Sequence, residues 1–146
     1  MPTITVYGND LSPPARAARM VAEAVGLDVD LKRTYPLRGE CKKPEYIKKK
    51  EPSDELRDNL VDGLETLERF LTTNKFLAGD NLTIADYCCY CTITFLDFPK
   101  KGRVDLSKYK NIQRWMDLLQ NTSPLFKKYD QIREKAIQKY LEDGKY

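Results

Sequence analysis

No histidine occurs anywhere in the 146 residues. That absence removes Ser-His-Asp and Cys-His nucleophile pairs, and with them His-ligated zinc. Any acid–base or nucleophile chemistry must use other groups. Long apolar runs are missing as well. No window approaches the ~18 residues of a membrane-spanning helix, so no membrane partner is expected. The opening MPTITVYGND lacks the basic and apolar regions of a signal peptide, and a cytoplasmic location is the expectation. There is little excess of charge: 25 Lys and Arg stand against 22 Asp and Glu, and the signs are mixed along the chain. A nucleic-acid footprint clusters basic residues on one face, so no nucleic-acid partner is expected. The short run Lys48–Lys50 reads as a solvated stretch. Internal repeats and low-complexity tracts are absent too.

Four cysteines are present. In a cytoplasmic chain they read as thiols, not as a disulfide framework. CCYC, Cys88 to Cys91, lacks the spacing of a zinc knuckle and has no second ligand pair. No metal site is expected, and Cys88, Cys89 and Cys91 read as small apolar residues packed inside a helix.

The elements follow from local chemistry. TITVY, Thr3 to Tyr7, is β-branched and aromatic, which suits a strand. Ser12 is a good helix N-cap, with Pro13 at the first helical position. Ala17, Met20, Val21, Ala24 and Val25 recur at helical spacing, and Gly26 stands where a glycine ends a helix. Leu27, Val29 and Leu31 alternate with charged residues, so a second strand follows, parallel to the first. Pro44 opens a short helical piece through Lys49. Beyond the junction KKKEPSDE the chain reads as helices alone. Ser53 can cap the first of them, and Leu56, Leu60, Leu64, Leu67 and Leu71 form its apolar stripe.

NLTIAD reads as a capping box. Thr83 is the cap and Asp86 bonds back to its amide, with Leu82 and Tyr87 as a hydrophobic staple. Ile112, Trp115, Met116 and Leu119 mark a later helix, with Trp115 central to its core. Tyr129, Ile132, Ala136, Ile137 and Tyr140 mark the last. Phe126, Tyr129 and Tyr140 read as core, with a pocket lining as the other option. The fold class is α+β and mostly helical, with domains at 1–50 and 51–146.

YGNDLSPPARAARMVAEAVGLDVDLK, LRGECKKPEYIKK, FLAGDNLTIADYCC and IQRW together resemble the cytosolic glutathione transferases. The serine before two prolines resembles the arthropod delta and epsilon classes. The resemblance covers nearly the whole chain. It implies a partial thioredoxin-like unit followed by an all-helical C-terminal domain. The implied activity is conjugation of glutathione, as co-substrate, to small hydrophobic electrophiles in detoxification, with a homodimer as one expected assembly. Ser12 matches the family's catalytic serine, whose hydroxyl donates to the glutathione thiolate. Leu37 and Cys41 match its glutathione-binding loop. There Cys41 replaces the histidine that contacts the glycine end of glutathione. A thiol at this position could also form a mixed disulfide or lie inert.

The chain also passes from YIKKK directly to EPSDEL. Family members carry between these points a cis-proline turn, an ES pair, two antiparallel strands and the family's third and fourth helices. The resemblance therefore implies weak glutathione binding. It also implies two open sheet edges and one bare sheet face. The alternative function is a non-catalytic ligand-binding or interaction module built on the helical domain.

Overall fold

The computed structural model describes residues 3–34, 54–96 and 104–143. The expected short helix from Pro44, the Ser53 cap and the junction after residue 50 lie outside the described residues. Strand β1 (Thr3–Gly8), helix α1 (Pro13–Ala24) and strand β2 (Asp28–Arg33) form a βαβ unit. Helices α2 (Asp54–Thr73), α3 (Ile84–Ile93), α4 (Lys110–Thr122) and α5 (Pro124–Asp143) follow, with a short 3-10 turn at Leu106–Lys108.

The strands are parallel, in a register that pairs Thr3 with Asp28 and Tyr7 with Lys32. Side chains alternate across a sheet, so this register puts Ile4, Val6, Val29 and Leu31 on one face. Thr3, Thr5, Tyr7, Asp28, Asp30 and Lys32 occupy the other. Lys32 and Asp30 are ion-paired there at 2.9 Å. The face expected to be bare is therefore polar and meets water at little cost. Parallel strands buried on both faces would instead read as continuous apolar runs.

Gly8 lies on the apolar face, where the start of α1 comes very close. A Cβ at Gly8 would stand 2.6 Å from Ala15 Cβ, inside contact distance. At its other end α1 closes in a Schellman motif: Leu27 N–H donates to Ala22 O, Gly26 N–H donates to Glu23 O, and Gly26 has φ +80°.

α1 then packs on α3 and α5. Its Ala17 and Met20 join Leu64 and Leu71 of α2, Tyr87, Tyr90 and Cys91 of α3, and Ile112, Trp115 and Leu119 of α4 in one core. Trp115 is fully buried at its centre, as expected. Phe126 stacks on Tyr87 at 4.9 Å and meets Tyr90 edge-on at 4.8 Å. Phe126 and Tyr129 are core residues, while Tyr140 is half-buried.

Asp86 carries the start of α3. It accepts from Thr83 N–H at 2.8 Å, the bond that a capping-box acid makes, and also from the Thr83 hydroxyl at 3.1 Å. It also accepts from Leu77 N–H at 3.0 Å and Trp115 Nε1–H at 2.9 Å. One expectation fails on this helix. Cys91 is buried, but Cys89 is only half-buried and Cys88 is exposed. Cys88 lies three residues before Cys91 but away from the α1 contact.

Glu68 of α2 supplies a cap that local sequence does not show. Its carboxylate accepts from Asn111 N–H at 2.8 Å and Ile112 N–H at 2.9 Å, the open amides at the start of α4.

Candidate functional site

Ser12 occupies the turn between β1 and α1. It caps α1 with φ −69° and ψ 114°, and its Oγ accepts from Ala15 N–H at 3.4 Å. Asn9 builds the turn. Its Oδ1 accepts from Leu11 N–H at 3.1 Å and Ser12 N–H at 3.0 Å, and its Nδ2 donates to Thr34 O at 3.3 Å, past the end of β2. Thr34 N–H donates in turn to Gly8 O at 2.9 Å.

A helix start normally offers several free amides to an anion. Here the supply is nearly spent. Pro13 and Pro14 have no N–H. Ala15 N–H is held by Ser12 Oγ, and Arg16 N–H donates to Ser12 O at 3.0 Å. The Ser12 hydroxyl proton has no acceptor among the described residues. A hydroxyl can accept from Ala15 and still donate outward. The α1 start therefore presents an anion with one hydroxyl donor and the favourable end of the helix dipole.

Beside Ser12, Asp10 is buried and bridges two arginines. Arg19 Nη1 lies at 2.7 Å and Arg33 Nη2 at 2.9 Å. Burial would raise the Asp10 pKa, but the bonds from Arg19 and Arg33 and their charges outweigh it and hold the carboxyl below its usual value. Arg19 also stacks over the Tyr129 ring at 4.9 Å, and Tyr129 OH donates to Glu23 at 2.8 Å. The turn carrying Ser12 is thereby tied to α5.

Arg16, four residues beyond Ser12, is buried as well. Its Nη2 donates to Cys91 O at 2.8 Å and its Nη1 to Thr94 Oγ1 at 3.3 Å. Burial lowers its pKa, with the nearby Arg133 charge adding to the effect. Arg133 of α5 donates to Thr94 O at 3.0 Å. Two guanidinium groups from different helices thus take the carbonyl end of α3, where the dipole favours positive charge. Neither arginine is marked by a local sequence signal, since each acceptor is distant in the chain.

The other two residues expected in the site, Leu37 and Cys41, lie outside the described residues. The structure therefore places Ser12 and not its expected companions. Among the described residues no group of His, Cys, Asp or Glu is arranged to hold a metal ion, and no helix is long and apolar enough to cross a membrane.

Residues 50–118 match the family model for the glutathione S-transferase C-terminal domain. Glutathione S-transferase D7 of Drosophila melanogaster is 23% identical over 198 residues, covering 85% of this chain and 87% of the relative. That alignment is longer than the 146-residue chain, so it includes positions that the relative has and this chain lacks. Among solved structures, the fold matches glutathione S-transferase 1-6 from Anopheles dirus species B with a TM-score of 0.77. Identity is 19%, with 96% of this chain and 100% of that chain covered. It matches an epsilon-class glutathione S-transferase from housefly, Musca domestica, with a TM-score of 0.68 at 20% identity, covering 94% of this chain and 97% of that one.

Proposed function

We propose that this chain, which belongs to the glutathione transferase family, holds the glutathione thiolate at Ser12 and adds it to small hydrophobic electrophiles. One observation supports the reading above the rest. Ser12 presents a hydroxyl donor that has no acceptor among the described residues, at the start of α1, where the local amides are already used. A thiolate there gains one hydrogen bond and the helix dipole, and both favour the anion over the thiol. Each unit by which the thiol pKa falls corresponds to about 1.4 kcal/mol of preferential thiolate stabilisation. The thiolate sulfur then attacks the electrophile and displaces its leaving group or adds across its double bond.

Ser12 serves only the thiol end of the tripeptide, and the sequence passes from YIKKK directly to EPSDEL without the cis-proline turn and ES pair that the resemblance implies for the rest of it. Binding is therefore expected to be weak and turnover slow, with the division into domains at 1–50 and 51–146 retained as part of the proposal. The test is the initial rate with a chloronitrobenzene-type substrate at saturating glutathione, with thermal melts alongside. Ser12→Ala removes the donor and the cap, and should abolish conjugation while lowering stability by about 1 kcal/mol. Ser12→Asp keeps a cap but sets a negative charge against sulfur, so it should lose conjugation and keep its melting point. Full activity in Ser12→Ala would overturn the assignment. The second reading, a binding module on the helical region, is favoured by a cavity among α3, α4 and α5 that lies apart from Ser12.

A further inference from the structure

That cavity, ≈ 650 Å³, opens between the end of α3, the 3-10 turn, α4 and α5. Ile93, Val104, Leu106 and Met116 give it apolar walls. Its volume falls within the range of small-ligand sites. Arg133 lines it too, although the residue is only 9% exposed.

The bonding of Arg133 is incomplete. Nη1 donates to Thr94 O, but Nε is buried without a hydrogen-bond partner. The nearest carboxylate oxygen, Asp130 Oδ1, stands 3.9 Å from Nε, too far for a hydrogen bond, and is itself unpartnered. The other oxygen, Asp130 Oδ2, takes the Tyr90 hydroxyl and, at 2.9 Å, Gln120 Nε2. Arg133 Nη2 makes no hydrogen bond among the described residues, and it is the donor the side chain can offer to the cavity. Arg16 and Arg133 both bond Thr94, so two guanidinium groups stand close together here. The carbonyl end of α3 offsets part of the remaining positive charge. A buried charge with open donors is costly until it is paired.

We infer that this cavity is a second binding site, separate from the Ser12 turn, for a small apolar monocarboxylate. The carboxylate would accept from Arg133 Nη2, and the apolar body would lie against Leu106 and Met116. The charge of the ligand is limited from the other side. Asp105 and Asp117 also line the cavity, and both are exposed. A dianion such as a phosphate ester would meet their repulsion, and an uncharged ligand would leave Arg133 open.

The experiment titrates the full chain with 4-phenylbutyrate and with 4-phenylbutanol, its uncharged counterpart, following side-chain methyl signals by NMR. The acid should move the Met116 and Ile93 methyl signals saturably. The alcohol should bind about tenfold more weakly, which is about 1.4 kcal/mol. Asp117→Asn changes an exposed residue and leaves the fold intact, and it should tighten the acid two- to threefold, about the size of one screened charge interaction. Arg133→Lys keeps a positive charge but loses the planar donor, and it should weaken the acid and not the alcohol. Equal affinity for acid and alcohol would overturn the inference. So would acid-induced shifts confined to Ala15 and Ala17 near Ser12, or no shift at Met116 up to the solubility limit. None of these results bears on conjugation at Ser12.

Discussion

The βαβ unit and the helical region are held by different means. In the helical region Leu71, Ile112, Trp115, Leu119 and Phe126 are fully buried. In the sheet Ile4, Val6, Val29 and Leu31 are only half-buried. The buried residues of the βαβ unit sit mainly on α1. Met20 and Ala17 join the helical core, and Arg16 bonds the end of α3. α1 is thus as much a member of the helical region as of the sheet. Two strands with a single apolar face are marginal alone, and here they ride on a helix that the helical region secures. The Ser12 turn lies at the seam, braced by Asn9 on the sheet side and by Arg19 against Tyr129 on the helical side.

The largest test of that asymmetry is Asp86→Ala. As a local cap Asp86 would be worth about 0.5–2 kcal/mol. In the fold its removal also strips acceptors from Leu77 N–H and from the buried Trp115 Nε1–H. Buried donors left unpaired each cost about 1–3 kcal/mol, so the expected loss is about 3–5 kcal/mol. Chemical denaturation should show sheet and helices unfolding together. A loss no larger than that of an ordinary cap would mean that the Trp115 bond contributes little and that the helical core is less dependent on Asp86 than its contacts imply.

What could be read from the sequence follows the range of the interactions. Ser12 and Gly26, the two ends of α1, were legible because each acts on residues within one turn of itself. The leucine stripe of α2 and the Thr83–Asp86 box were legible for the same reason. Arg16 was not: it stands among alanines, and its acceptors come 75 and 78 residues later. Glu68 reads as one of the charges between leucines, yet it caps a helix whose first amides are 43 and 44 residues away. Cys88 was misplaced because α3 is apolar nearly all round, so its sequence does not say which side is covered. Ser12 itself was visible in SPP, but Asn9 and Asp10, which set its turn, depend on where Arg33 and Thr34 finish.

A smaller effect is expected on the other side of the comparison. Gly8→Ala would press a methyl against Ala15 Cβ, and overpacking of this kind costs about 1–3 kcal/mol. The cost should appear locally. Amide exchange should quicken in β1, β2 and the first turn of α1, while the amides of α4 keep their protection. Equal acceleration throughout would show that the sheet and the helical core open as one unit.

Asp10 gives a pH dependence confined to the seam. Its pKa is lowered in the folded state, so its contribution is present above the unfolded value of about 3.9 and is lost as pH falls through the folded value below it. Asp10→Asn should flatten the loss of stability in acid below about pH 4 and lower stability at neutral pH. The measurement is the denaturation midpoint of both proteins from pH 7 down to acid. Parallel curves would remove Asp10 from the acid response.

The smallest effect, and the most local, concerns two thiols three residues apart on α3. Cys88 faces outward, whereas Cys91 faces α1, with Sγ 3.4 Å from Met20 Sδ and its carbonyl taken by Arg16. Burial pushes the Cys91 thiol up to about 11, despite the opposing Arg16 charge. Thiolate is the reactive form, so at mildly alkaline pH an alkylating reagent should modify Cys88 and leave Cys91 untouched. Peptide mass spectrometry distinguishes the two. Cys91 then becomes a reporter of α1 docking. In Gly8→Ala it should stay protected if only the sheet loosens, because Met20 and Arg16 hold α1 from the other side. If Cys91 reacts as quickly as Cys88 in the unaltered protein, α1 leaves α3 readily, and the helix that carries Ser12 is not secured by the helical core.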